Sequence, residues 1–370
     1  MSTYLVDALD LGHNTKGISR VLSALIPELH ARLQDRLLVA TTDKGAGLLD
    51  LPTSQLLQVP HGLQSVWEQY GLPRLAVRRG VSATYSHREA GALWGPPLVL
   101  HVTEDPEVRW SRESAQGLRG RSRRAYSRAL MRRSLDRAAV VAASVPSVRD
   151  QLQRQYGQQE VRLLPLGVDL RRFRPADEPR EDVLFHLGSP DPRDRTLLVV
   201  EAYAHAVQLR PDLAHLVLGG GLGETLLRQV DEAVAAHALG GRVTVTGRLS
   251  DEALADHFRH ALVVVQPASD EGFGLQPLEA LASAAPLVVG DAAAVVDVVG
   301  DAAVCAPPDA QALATVLLAL CEDQGRRKTL RAAGPLVADR YSWGVTADLT
   351  CAALQEAGQS RPAARRGPRR

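Results

Sequence analysis

Short apolar runs alternate with amphipathic stretches along this chain. Tyr4 to Leu9, Leu37 to Thr41, Ala83 to Ser86, Leu98 to Val102 and Ala139 to Ala143 are brief and apolar, the form of strands buried on both faces of a parallel sheet. Val21, Leu22, Leu25, Ile26 and Leu29 recur at helical spacing and predict a helix over Ile18 to Leu33. Trp67 opens another through Val77, and Arg124 to Leu135 reads as a third. The same alternation resumes at Val183 to Leu187, with further strands starting at Leu216, Val243, Ala261 and Pro286. Helices are predicted over Thr196 to Gln208, Gln311 to Cys321, Arg326 to Asp339 and from Trp343 through Leu354. Alternation of this kind predicts two doubly wound α/β domains. The glycine and prolines of Arg162 to Pro175 suit the crossing between them.

One stretch carries the most chemistry: Glu271-Gly-Phe-Gly-Leu-Gln-Pro-Leu-Glu279. It follows the apolar run ending at Val265, and Pro277 is a natural first helical residue, so the segment reads as strand, glycine loop, helix. Gly272 and Gly274 let backbone approach a ligand, and the first amides of a new helix suit a phosphate. Glu271 and Glu279 beside such a pocket suit hydroxyl groups, which donate charge-assisted hydrogen bonds to carboxylates. Together these residues suggest recognition of a sugar nucleotide. Glu279 also fits a carboxylate that merely stabilises a helix start.

The whole block Val264-Val-Gln-Pro-Ala-Ser-Asp-Glu-Gly-Phe-Gly-Leu-Gln-Pro-Leu-Glu-Ala-Leu-Ala-Ser-Ala-Ala-Pro286, followed by Val298-Val-Gly-Asp-Ala-Ala303, resembles the Glu-x7-Glu region of retaining, GT-B-fold glycosyltransferases of family 4, the glycosyl transferases group 1. Leu166-Gly-Val-Asp169 with Phe173 and Pro175 is similar to the same family's interdomain signature. The resemblance implies two Rossmann-like domains facing across a cleft. Residues 1–168 would form the acceptor side, 169–342 would bind the nucleotide sugar, and helix 343–357 would cross back to the first domain. It also implies a metal-independent front-face transfer to an acceptor hydroxyl, with Glu271, His101 and Arg193 as catalytic residues.

Donor contacts implied by the resemblance fall on Gly17, Ser19, Gly188, Arg193, Arg195, Gly219, Arg248, Gly272, Phe273, Gly274, Leu275 and Glu279. His101 fits a satisfied structural histidine as well as a residue beside the reacting sugar. Three departures stand out. The first glycine loop is Lys16-Gly17-Ile18-Ser19-Arg20, with one of the family's glycines retained. Ser189 follows Gly188, and Asp194 stands where a lysine is expected after Arg193. Ala284 stands where the family often has glycine. An extra anion near a diphosphate is unfavourable unless paired, so the leaving group would rely on Arg193, Arg195 or Arg248. The alternative is a catalytically silent protein of the same fold that binds or scaffolds.

Composition narrows the classes. With 45% hydrophobic and 23% charged residues in 370, the chain is globular and long enough for two domains. A formal charge of +1 argues against a dedicated nucleic-acid binder. Cys305, Cys321 and Cys351 lack metal-ligand spacing and read as reduced thiols, which predicts a cytoplasmic protein. The first ten residues lack a signal-peptide pattern. No metal site and no cofactor is expected beyond a nucleotide diphosphate sugar of UDP, GDP or dTDP type as co-substrate. The acceptor is expected to be a small natural product such as an aminoglycoside, or a glycan. Arg109 to Arg137 is densely basic, and the expectation is a solvated face, with an anionic membrane surface or an acidic acceptor as the sharper readings. The tail Gln359 to Arg370 is expected to be disordered.

Overall fold

The computed structural model describes residues 2–13, 17–60, 64–88, 90–104, 118–176 and 180–360. It divides into two compact units: Met1–Gly167 with Trp343–Arg370, and Val168–Ser342.

The first unit holds a seven-stranded parallel sheet, β1 (Tyr4–Asp7), β2 (Leu37–Thr41), β3 (Leu56–Gln58), β4 (Ala83–Ser86), β5 (Leu98–Val102), β6 (Val140–Ala143) and β7 (Arg162–Leu163). Their spatial order is β3-β2-β1-β4-β5-β6-β7. The chain therefore works outward from β1 to β3, then returns and works outward the other way from β4, which puts the topological switch point between β1 and β4. Register is set by apolar pairs such as Leu5 with Leu38 and Val6 with Tyr85.

Helix Ile18–Leu33 buries Val21, Leu22, Leu25, Ile26 and Leu29 on one face. Burial of such side chains is worth about 1.5–3 kcal/mol each, which outweighs the ~3 kcal/mol cost of Pro27 inside the helix. The C-terminal helix Trp343–Gln359 packs beside it, contributing Ala347, Cys351 and Leu354 to the same core. The helical segment expected from Trp67 begins as a π-helical turn, Trp67–Gly71, before the α-helix Leu72–Arg78. Its Leu72 and Ala76 pack on Leu5, Ala40 and Leu57, on the face opposite helix Ile18–Leu33. The basic helix spans Leu118–Arg137, starting before the expected Arg124.

The second unit holds a six-stranded parallel sheet, β8 (Val183–Leu187), β9 (His215–Gly219), β10 (Val243–Gly247), β11 (Val263–Gln266), β12 (Leu287–Val289) and β13 (Val304–Cys305), ordered β10-β9-β8-β11-β12-β13. Its switch point lies between β8 and β11. Arg180, half-buried and with its pKa lowered to about 10 mainly by burial, donates to the carbonyls of Phe258, Ala261, Ser283 and Ala284, fixing the C-terminal ends of helices Asp251–His260 and Leu275–Ala282.

Helix Gly223–Ala236 ends with Ala238 at φ +53°, Ala238 N bonded to Ala235 O at 3.2 Å and Leu239 N to Val234 O at 2.9 Å. This is the left-handed stop that glycine usually fills. Ala238 is exposed and loses no packing when its methyl is removed, while the left-handed conformation costs a residue with a Cβ roughly 1–2 kcal/mol. Part of that gain is offset by the entropy of glycine in the unfolded chain. Ala238→Gly is therefore expected to raise stability by about 0.5–1 kcal/mol in denaturant titration; an unchanged or lower midpoint rejects it.

Candidate active site

The carboxyl ends of β8, β9 and β10 are knitted through glycine backbone. Gly188 N donates to Gly219 O at 2.9 Å, and Gly220 N donates to Gly247 O at 2.8 Å. The fit leaves no room for side chains: a Cβ on Gly220 would lie 2.1 Å from Gly188 O, and one on Gly219 would lie 2.8 Å from the Phe185 ring. The exposed guanidinium of Arg248 flanks this floor, within 4 Å of where a Gly221 Cβ would sit, and has no carboxylate partner among the described residues.

The loop from Gly188 crosses the switch point to β11. Ser269 N donates to Arg193 O at 3.1 Å, and Arg195 Nη1 donates to Pro267 O at 3.3 Å. Arg195 also lies 3.6 Å from Asp291. His186, which the sequence reading passed over, braces the same junction from beneath. It is fully buried, with Nδ1 at 2.8 Å from Val265 O and Nε2 at 3.0 Å from Thr196 Oγ1. Burial lowers its pKa to about 4, so the ring is neutral. The Val265 carbonyl can only accept, so Nδ1 carries the proton and Nε2 accepts from Thr196.

Arg193 is tied to its own loop. Its Nε and Nη2 donate to Asp191 Oδ2 at 2.9 and 2.6 Å, and Asp191 Oδ1 accepts Arg193 N at 3.0 Å. The carboxylate two residues upstream already occupies the guanidinium face that a diphosphate would need. Arg248 is thus better placed than Arg193 or Arg195 to meet an incoming anion. Ser189 holds the same loop, accepting Asp191 N at 3.2 Å.

Glu271, partly exposed, follows β11 directly and so stands on the far side of the switch point from Gly188. The helix after it begins at Leu275, two residues earlier than expected, with Gly274 at φ +84° as its cap. A Cβ on Gly274 would lie 3.1 Å from Val295 Cγ2. Pro277 is accordingly the third helical residue, and the first-turn amides available to an anion are those of Leu275 and Gln276. Glu279 falls in the second turn rather than the first and is 4% exposed. Phe273 is 3% exposed and packs edge-on against Tyr341, so its ring belongs to the core of this unit. Ala284 ends the helix at φ +54°, taking the left-handed position for which the family uses glycine. A cavity of about 400 Å³ lies beside the loop, between Pro190, Pro192, Arg195, Leu222, Glu224 and Leu226, and does not include Glu271.

In the first unit, Gly17 has φ +53° and precedes helix Ile18–Leu33, while Ser19 Oγ accepts Gly12 N at 3.1 Å and so shapes its own loop. Lys16 lies outside the described residues, as do residues 109–117 of the basic run. His101, the expected catalytic histidine, lies inside the first unit. It is fully buried, with Nδ1 2.7 Å from Tyr85 Oη and Nε2 3.0 Å from Ser144 Oγ. His87, 3% exposed, lies edge-on at 4.9 Å between ring centroids. Burial holds His101 well below its usual pKa and lowers His87 to about 3, with Arg88 adding to the latter. Both ring nitrogens of His101 are engaged within a network joining the ends of β4, β5 and β6, which fits the structural histidine better than a residue touching sugar.

At the first unit's switch point sits Arg88, 7% exposed, with Asp7 at 3.2 Å, Asp10 at 2.9 Å and Glu68 at 3.3 Å. Trp67 Nε1 also donates to Asp7 at 2.9 Å. One guanidinium thereby pins the end of β1, the loop after it and the π-helical turn. Among the described residues no three His, Cys, Asp or Glu side chains group as a metal site would.

Residues 169–336, nearly the whole second unit, match the family model described as glycosyl transferases group 1. The second unit is thus similar to the glycosyl transferases group 1. It is similar to the D-inositol 3-phosphate glycosyltransferase of Kineococcus radiotolerans, 32% identical over 234 residues, covering 56% of this chain and 54% of that protein. Similarity also extends to the phosphatidyl-myo-inositol mannosyltransferase of Mycobacterium tuberculosis, 32% identical over 198 residues, covering 50% and 51%. The chain spans about half the length of the curated relatives it matches. Among solved structures, sucrose-phosphate synthase from Thermosynechococcus elongatus aligns with TM-score 0.74 at 18% identity over 96% of this chain and 99% of that one. Anabaena Alr3699/HepE in complex with UDP and glucose aligns with TM-score 0.72 at 16% identity over 96% and 100%. At these identities the likeness establishes fold: two parallel-sheet, Rossmann-like domains of the GT-B class. The glycine floor, Arg248 and Glu271 all fall inside the matched group 1 segment.

Proposed function

We propose that the chain transfers a sugar from a nucleotide diphosphate sugar to an acceptor hydroxyl with retention of configuration and without a divalent ion. The carrying observation is the sheet's order, which sets a glycine floor flanked by Arg248 at the ends of β8–β10 on one side of the switch point and, after β11 on the other, Glu271 and the Leu275 and Gln276 amides. Close backbone and helix-start amides suit a diphosphate, and a carboxylate suits sugar hydroxyls. As the sugar–phosphate bond breaks, negative charge grows on the leaving diphosphate and Arg248 stabilises it. Glu271 holds the sugar and stabilises the cation-like ring, and the departing phosphate takes the acceptor's proton. The donor is of UDP, GDP or dTDP type, and the acceptor is a small natural product such as an aminoglycoside, or a glycan.

A second reading, a silent binding protein, is favoured by one observation: Asp191 already neutralises Arg193. Calorimetric titration with UDP-, GDP- and dTDP-sugars, followed by a hydrolysis assay with the donor that binds, separates the two. Arg248→Ala is expected to lower that rate about 100-fold, the scale of losing one charge stabiliser. A full rate in this variant removes Arg248 from the mechanism, and tight donor binding without hydrolysis or transfer across a broad acceptor panel supports the silent protein.

A further inference from the structure

Two helical segments of the first unit, residues 64–78 and Leu118–Arg137, are cross-braced through one carbonyl. Gly91 O accepts from Gln69 Nε2 and from Ser134 Oγ, each at 3.0 Å. Trp94 Nε1 donates to Gln69 O at 2.6 Å, and Arg137 Nη2 donates to Pro96 O at 3.0 Å. Segment 91–96 thus fastens both helices into one outward face. Glu68, the acid of the first segment, turns inward to Arg88.

That face exposes apolar and aromatic side chains that a solvated surface would not gather. Val66 is 53% exposed, Tyr70 56%, Val77 55%, Trp94 40% and Tyr126 61%. Val66, Tyr70 and Val77 recur at helical spacing, a stripe rather than scattered singles. Exposed arginines accompany it: Arg74, over the Tyr70 ring at 5.9 Å, and Arg78 on the same segment, and Arg121, Arg128, Arg132 and Arg133 on the braced helix. Against them stands Asp136 on the second helix. The basic helix alone is not amphipathic, but its neighbour supplies the apolar stripe it lacks.

We propose that this face docks on an anionic lipid bilayer as a peripheral contact. Arginine meets lipid phosphates, while aromatic rings with a polar edge and short aliphatic side chains settle at the headgroup boundary. A nucleic acid would answer the arginines but give Val66 and Val77 no apolar phase. No described helix is long and apolar enough to cross a membrane, so the contact lies on the surface.

The test is sedimentation of the full chain with phosphatidylcholine vesicles, with and without about one-third phosphatidylglycerol, and needs no catalytic activity. Binding is expected on the anionic vesicles alone, and about tenfold weaker at 0.5 M salt because exposed charges are screened. The triple variant Arg128→Glu, Arg132→Glu, Arg133→Glu is expected to lose binding tenfold or more, since its charges now repel the surface. Tyr70→Ser with Val77→Ser, both at exposed positions, is expected to weaken vesicle binding severalfold while leaving retention on a heparin column unchanged. Absence of sedimentation at low salt overturns the proposal. So does vesicle binding that ignores the Tyr70 and Val77 changes, which marks a surface for soluble polyanions instead.

Discussion

Glu271→Gln is expected to slow donor turnover by about 100- to 1000-fold, the range seen when one group aimed at developing charge is removed. The amide keeps the shape and can still hydrogen-bond hydroxyls, but it no longer offers a negative charge to the cation-like ring. Its affinity for the nucleoside diphosphate alone is expected to change by less than about tenfold, or 1.4 kcal/mol. The reason is positional: the glycine floor and Arg248 lie on the β8–β10 side of the switch point, and Glu271 lies after β11. Single-turnover kinetics and calorimetry on the same preparation check both halves. A variant that turns over at the parental rate, or that loses nucleotide binding along with turnover, sinks the assignment of Glu271 to the sugar.

Arg88→Met is expected to destabilise the first unit by about 3–5 kcal/mol, because it leaves Asp7, Asp10 and Glu68 facing one another without their shared cation. Methionine keeps much of the apolar stem, so the loss reports charge rather than volume. Arg88→Lys is expected to fall between, since an ammonium restores the charge but not a planar fork reaching three carboxylates. Trp67, bonded to Asp7, provides a fluorescence probe within the cluster for urea denaturation. A loss below about 1 kcal/mol, the scale of exposed ion pairs, shows that water already screens the cluster.

Long, strongly patterned elements were legible in the residues. Helix Ile18–Leu33 and strands Leu37–Thr41, Ala83–Ser86, Leu98–Val102 and Val183–Leu187 fall on their expected bounds, because each has a continuous or periodic apolar face with polar residues at its ends. Leu56–Gln58, Arg162–Leu163 and Val304–Cys305 escaped notice, being too short for any period to show. The π-helical turn at Trp67–Gly71 also has no pattern of its own: a Cβ on Gly71 would sit 2.4 Å from the Trp67 ring, so the turn depends on a packing contact.

The sites divide in the same way. Glu271, Gly274 and Glu279 could be picked out because they sit close together in sequence, on one loop and the helix it feeds. The pairing of Arg193 with Asp191 was equally local but was settled by the turn at Pro192–Asp194, which folds the guanidinium back on its neighbour. Arg88 meets Asp7 across 81 positions, and His101 meets Ser144 across 43. Neither partnership leaves a trace in spacing.

What the chain's order of residues determined is the class of fold and the loop that most resembles a sugar-nucleotide site. Apolar periodicity and glycine placement act over a few neighbours, and a parallel α/β domain is built from such repeats. Only the folded sheets decided which charged groups are engaged and which face outward. Strand order brings distant loops to one edge, so His101 was taken up internally, Arg248 was left beside the glycine floor, and an arginine helix gained an apolar neighbour, while Arg193 was folded back on Asp191 by its own turn.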